Sequence, residues 1–118
     1  MGLFDRLRPR TVAAAAGTRG RRTEEAQEAR RHLEDFVRTR AGVEAYVEPA
    51  TAVLPPTVLL VATTGEWTRR RIPAAGDVRR LAEELRVPVY DARLVGYPKR
   101  MREWNERVKR GEVPPAGG

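Results

Sequence analysis

The chain has no cysteine and no serine, and His32 is its only histidine. Without cysteine there is no disulfide framework, no redox thiol and no thiolate-held zinc or iron–sulfur cluster. A Ser–His or Cys–His nucleophile pair cannot be assembled, and a histidine-based metal site is close to excluded. The expectation is therefore no cofactor and no metal. Long apolar runs are lacking too. The longest, Val58 to Ala62, falls far short of the ~20 residues that a membrane span needs. The opening MGLFDRLRPR has no apolar signal segment, and Arg6 stands where a myristoylation motif wants Ser or Thr. RGRR at 19–22 has no apolar segment after it, which argues against twin-arginine export. A cytoplasmic location is expected.

Positive charge is what the chain has in excess, with 21 arginines, two lysines and a formal charge of +7. It is unevenly spread. Residues 1–22 carry six arginines against one aspartate, a net of +5. Residues 23–95 balance eleven basic against twelve acidic groups, a net of −1, and residues 96–118 carry six against three, a net of +3. A basic arm suits an acidic partner, whether nucleic acid, anionic lipid or acidic protein. Arginine with abundant Ala, Gly and Pro reads equally as the bias of a GC-rich genome.

Composition divides the chain into a basic flexible arm (1–22), one α+β domain (23–111) and a disordered tail (112–118). MGLFDRL places Leu3, Phe4 and Leu7 on one side of a short amphipathic turn, which reads as a docking peptide or as a disordered terminus. Thr23 suits a helix N-cap, followed by Glu24, Glu25 and Glu28 near the positive helix end. Ala26, Ala29, Leu33, Phe36, Val37 and Ala41 then recur at helical spacing, and Gly42 stops the run. VEAYVEP alternates as a strand, with Val43, Ala45 and Val47 inward and Glu44, Tyr46 and Glu48 outward. TVLLVAT at 57–63 is apolar throughout, as a strand covered on both faces would be. Thr64 and Gly65 supply a turn, and EWTRRRI returns as its hairpin partner. Asp77 caps a helix marked by Val78, Leu81, Ala82 and Leu85. VPVYDARLV at 87–95 reads as a fourth strand, parallel through that crossover helix. A last helix runs from Pro98 to Arg110 with Met101, Trp104 and Val108 on its apolar stripe.

The order α-β-β-β-α-β-α gives an α+β fold, a mixed four-stranded sheet with helices mainly on one face. The side chains of EWTRRRI alternate, so Trp67, Arg69 and Arg71 share one face and Thr68, Arg70 and Ile72 the other. Ile72 and Thr68 suit the covered face. Trp67, Arg69 and Arg71 then lie with Glu44 and Tyr46 on a face that is exposed or becomes an interface, and Arg70 must reach the edge or pair with a carboxylate.

That element order over residues 23–95 is similar to the core of the PD-(D/E)xK nuclease superfamily. The superfamily's carboxylate on the second core strand and acid-x-Lys pair on the third are missing: TVLLVAT has no carboxylate, and Thr68 stands where the lysine would. The resemblance implies at most a binding-only relative. AEELRVPVYDARLVGYPKRMREWN, residues 82–105, resembles small uncharacterised actinobacterial proteins, some carrying an oxidoreductase label. No Gly-rich dinucleotide fingerprint accompanies it, because VATTGEW, residues 61–67, lies in a hairpin and not between a strand and a helix.

For nucleic acid or another partner the useful set is Trp67, Arg69 and Arg71 with Lys99, Arg100, Arg102, Arg107 and Lys109. An aromatic ring among arginines stacks a base while guanidinium groups take phosphates. The same ring also suits packing beneath an arginine stem, and Trp104 reads as core. Asp91 and Tyr97, near the carboxyl end of a parallel strand, are the polar-site candidates for acid–base work. Three readings stand: a non-catalytic module contacting RNA or DNA, a protein-interaction or homodimerising protein built on its open sheet face or edge, and an enzyme under the oxidoreductase label. Trp and Arg serve the first two alike.

Overall fold

The computed structural model describes residues 24–72 and 78–115. The expected caps Thr23 and Asp77, the amphipathic start and basic arm over 1–22, and the last three residues of the tail lie outside the described residues.

Helix α1 (residues 24–39) buries Ala29, Leu33 and Phe36, spaced i, i+4, i+7 as its sequence stripe requires. It ends in a sharp reversal at Gly42. There φ is +62°, and a Cβ would lie 1.9 Å from Thr63 Oγ1, so only glycine lets the chain pass into the sheet. The sheet comprises β1 (Glu44–Glu48), β2 (Thr57–Val61), β3 (Trp67–Arg71) and β4 (Val89–Asp91) in the order β3-β2-β1-β4. β1 is antiparallel to β2 and parallel to β4, and β2 is antiparallel to β3. All five residues of β2 are buried, in keeping with an unbroken apolar run covered on both faces. α2 (Val78–Glu84) carries the crossover from β3 to β4 and buries Ala82. Among the described residues no helix is long and apolar enough to cross a membrane.

On one face of the sheet α1 and α2 enclose the larger core, which includes Val43, Ala45, Val47, Val58, Leu60 and Ile72. Thr68 and Ile72 are fully buried there, as the strand alternation requires. The opposite face is not left open. Tyr46, Leu59, Val61 and Ala92 are buried on it, with Trp67, Tyr90 and Met101 packed against them. Its roof is α3 (Ala92–Val95) and α4 (Lys99–Lys109). The expected exposed face is thus a second, smaller core.

The fourth strand is also shorter than 87–95. It ends at Asp91, whose carboxylate accepts the Arg93 backbone N–H at 2.8 Å and caps α3. That capping bond diverts ARLV from a strand into a helical turn. The turn leaves Leu94 and Val95 exposed, and Gly96 ends it at φ 71°.

Candidate functional site

On the second face three rows of side chains cross the sheet: Trp67, Val61 and Glu44; Arg69, Leu59 and Tyr46; Arg71, Thr57 and Glu48. Arg69 reaches diagonally over β2 and forks onto Glu48, with Nε to Oε1 at 2.9 Å and Nη2 to Oε2 at 3.1 Å. A planar guanidinium suits this bidentate grip. The Tyr97 hydroxyl donates to the same carboxylate. Glu48 and burial together push the Tyr97 hydroxyl's pKa above its ordinary value. Glu44 is gripped by Arg100 Nη2 at 2.5 Å and accepts from the hydroxyls of Tyr46 at 3.2 Å and Tyr90 at 3.4 Å. The Tyr46 and Tyr90 rings stack with centroids 5.4 Å apart. Arg100 Nε also donates to the Ala62 carbonyl at 2.9 Å, tying α4 to the β2–β3 hairpin. The hairpin turn fits that helix closely, since a Cβ on Gly65 would lie 2.1 Å from the Arg100 carbonyl oxygen.

The residues nominated for nucleic-acid or partner contact are therefore mostly engaged inside the molecule. Trp67 Nε1 donates to Asn105 Oδ1 at 2.8 Å, and the Arg69 guanidinium lies 5.7 Å from its ring centroid. Arg69 and Arg100 hold Glu48 and Glu44. Arg107 sits over the Trp104 ring at 5.6 Å. Lys99 and Lys109 face Glu103 and Glu106 along α4 at 3.8 and 3.7 Å. Arg71 and Arg102 are exposed, and neither has an ion-pair partner among the described residues. Trp104 is core, as its spacing implied, and its indole N–H is buried with no hydrogen-bond partner among the described residues.

The two polar-site candidates do different work from acid–base chemistry. Asp91 is held below the usual carboxylate range, chiefly by the Arg93 backbone N–H that it caps. That makes it a weak proton acceptor. Tyr97 is turned to Glu48, and with Tyr90, Glu44 and Gly96 it lines an open cleft of about 200 Å³.

Strand β3 lies at the end of the sheet. Ala62 N–H donates to the Glu66 carbonyl and Ile72 N–H to the Pro56 carbonyl, at 2.8 and 2.9 Å. These bonds place even-numbered residues of the strand on its β2 side. The alternation of an antiparallel ladder then turns the N–H and C=O of Trp67, Arg69 and Arg71 outward. Beside that edge runs a groove of about 370 Å³, lined by Glu25, Glu28 and Ala29 of α1 and by Arg69, Arg70 and Arg71. None of the α4 cations lines it.

Behind the groove, Arg70 folds into the α1 side. One guanidinium N–H approaches His32 Nδ1 at 3.3 Å, and another donates to the Arg69 carbonyl at 2.9 Å. Because arginine only donates, Nδ1 accepts, and Nε2–H donates to Thr68 Oγ1 at 2.6 Å. Burial, reinforced by the Arg70 charge, lowers the His32 pKa. Glu44, Glu48, Glu25 and Glu28 were not singled out from the sequence as site residues. The outward alternation of Glu44 and Glu48 on the face shared with Arg69 was the signal that could have found two of them.

No protein-family model, curated protein or solved structure matches the chain. None of these comparisons bears on the expected resemblances to the nuclease core and to actinobacterial proteins. Thr68, where the nuclease lysine would stand, is fully buried against His32. Among the described residues no three metal-binding side chains converge.

Proposed function

We propose that the chain is a non-catalytic binding module that takes a protein partner along the outer edge of β3, in the cytoplasm. The observation that carries this reading is the end strand itself: five residues long, with alternate backbone groups turned outward beside a groove. An open edge of that kind is a template for strand addition, in which main-chain hydrogen bonds supply affinity and alternate side chains supply specificity. The other edge is poorly suited to the role, because β4 has three residues and runs straight into α3. The oxidoreductase label draws no support from any residue described above.

Arg71→Pro tests the reading. Its N–H points away from β2, so proline there leaves the hairpin ladder intact and removes one outward donor. The variant is expected to fold with an unchanged circular dichroism spectrum and to lose binding to extended peptides. Retained binding would refute edge recognition. A second reading, contact with RNA or DNA, draws on the net +5 of residues 1–22. It requires affinity that falls steeply with salt.

A further inference from the structure

The large apolar side chains that are exposed among the described residues gather at one end of the sheet. Val53 and Leu54 lie in the loop that follows β1, and Leu94, Val95 and Tyr97 in and after the turn that follows β4. β1 and β4 are parallel, with Val47 beside Asp91, so both segments leave the sheet at the same end. Each is held outward by local bonds. The Thr51 hydroxyl accepts from the backbone N–H groups of Val53 and Leu54 at 3.3 and 3.0 Å, and the Asp91 cap turns ARLV into α3. Val53 is left 86% exposed and Leu94 82%. Residues 49–56 carry no charge in a chain whose residues are 33% charged, which sets that loop apart from an ordinary solvated connection. The Tyr97 ring stands at the rim of the patch, its hydroxyl bonded to Glu48.

The basic arm joins the domain at this same end. The first turns of α1 lie beside Arg69, Arg70 and Arg71, and Arg71 is opposite Thr57, which is opposite Glu48 at the end of β1. Residues 1–22, with their net of +5, therefore attach where the apolar turns are displayed. The geometry points to an anionic lipid bilayer as the partner of this end, the two turns entering the interface and the arginines of 1–22 meeting headgroups. Leu and Val are under-represented among the hot spots of protein interfaces, which argues against a protein here. Apolar insertion joined to a basic segment supplies the two signals that stable membrane attachment needs. A tyrosine at the rim suits headgroup level. Glu24, Glu25 and Glu28, exposed at the start of α1, oppose an anionic surface, but the arm's +5 exceeds their three charges and the exposed Arg71 adds to it. The surface is separate from the outer edge of β3 and does not depend on strand addition there.

The test uses the full-length chain and two kinds of vesicle, phosphatidylcholine alone and phosphatidylcholine with about one-third phosphatidylserine. Co-sedimentation is measured for the wild type, Val53→Asn/Leu94→Asn and Arg21→Gln/Arg22→Gln. Val53 and Leu94 are exposed, so the first variant should keep the wild-type circular dichroism spectrum. The wild type should bind the anionic vesicles and scarcely bind the neutral ones. Loss of both apolar tips should weaken partition about tenfold, and loss of the two arginines about tenfold or more. Because the chain has no cysteine, Leu94→Cys offers a single site for an environment-sensitive dye. That dye should brighten with anionic vesicles, while one at Thr64→Cys, in the β2–β3 turn at the other end of the sheet, should not. Full binding by Val53→Asn/Leu94→Asn, with no brightening at position 94, overturns the proposal in favour of adsorption by the arm alone. Equal binding to both vesicles overturns anionic recognition, and brightening at position 64 overturns the orientation. No vesicle binding overturns the proposal outright, and a dimer in light scattering that Val53→Asn/Leu94→Asn dissolves would assign the patch to a second copy.

Discussion

Replacing Glu44 with glutamine removes the charge at which α4, β1 and β4 meet. Glu44 accepts from Arg100, Tyr46 and Tyr90, and Arg100 in turn is bonded to the Ala62 carbonyl. The side chains of Glu44 and Arg100 are 27% and 29% exposed, so the pair lies between a surface ion pair and a buried one. Surface pairs contribute about 0–1 kcal/mol, and breaking a buried pair costs about 3–5 kcal/mol. Glutamine keeps one acceptor oxygen for a tyrosine but presents an amide to a half-buried guanidinium. A cost of about 1–2 kcal/mol follows, or a fall in Tm of roughly 5–15 °C for a domain of this size. Urea and thermal unfolding of Glu44→Gln, Arg100→Met and the double variant measure it. The double variant should be less destabilised than the sum of the singles, with a coupling of at least about 0.5 kcal/mol. Strict additivity, or a Glu44→Gln variant as stable as wild type, would refute the view that this pair holds α4 against the sheet.

Three further outcomes are expected. The His32 pKa lies below its usual 6.5, so the unfolded chain takes up the proton first; the stability contribution is complete above 6.5 and is lost as pH falls through the folded value. Unfolding followed from about pH 7 to about pH 5 should show wild type losing stability faster than His32→Gln, and parallel curves would contradict the neutral tautomer. Gly65→Ala places a methyl into the Arg100 carbonyl at a φ of +93°, and should cost more than about 1 kcal/mol with loosened packing of α4, read as a shift in tryptophan fluorescence. Leu60→Ala, in the fully buried central strand, should cost about 2–5 kcal/mol by chemical denaturation, while Leu94→Ala on the exposed turn should be near neutral.

Much of the architecture was legible because it depends on local pattern. The stripe at Ala29, Leu33 and Phe36 announced α1, the unbroken TVLLV announced a strand covered on both sides, and the alternation of β3 placed Thr68 and Ile72 in the core. What was missed depends on partners distant in sequence or on one competing bond. Asp91 reads as a strand residue until its carboxylate is seen to take the Arg93 N–H, which turns ARLV into α3. The second face looked open because α4 carries only Met101, Trp104 and Val108 among charges, and its docking depends on Gly65 admitting the Arg100 carbonyl. The basic set looked free because Glu48 and Arg69 are 21 positions apart, on strands separated by β2. Their diagonal contact follows from register, which is not written in either segment alone.

The most direct test of the account is residue-resolved amide hydrogen exchange of the full-length protein with and without an extended, strand-forming peptide of about eight residues. Thr68 and Arg70, whose amides face β2, should be slow in both states. Trp67, Arg69 and Arg71 should exchange fast in the free protein and gain protection when the peptide is bound. Protection appearing elsewhere, for instance around Leu94 and Tyr97, with the three outward amides of β3 unchanged, would contradict recognition at this edge.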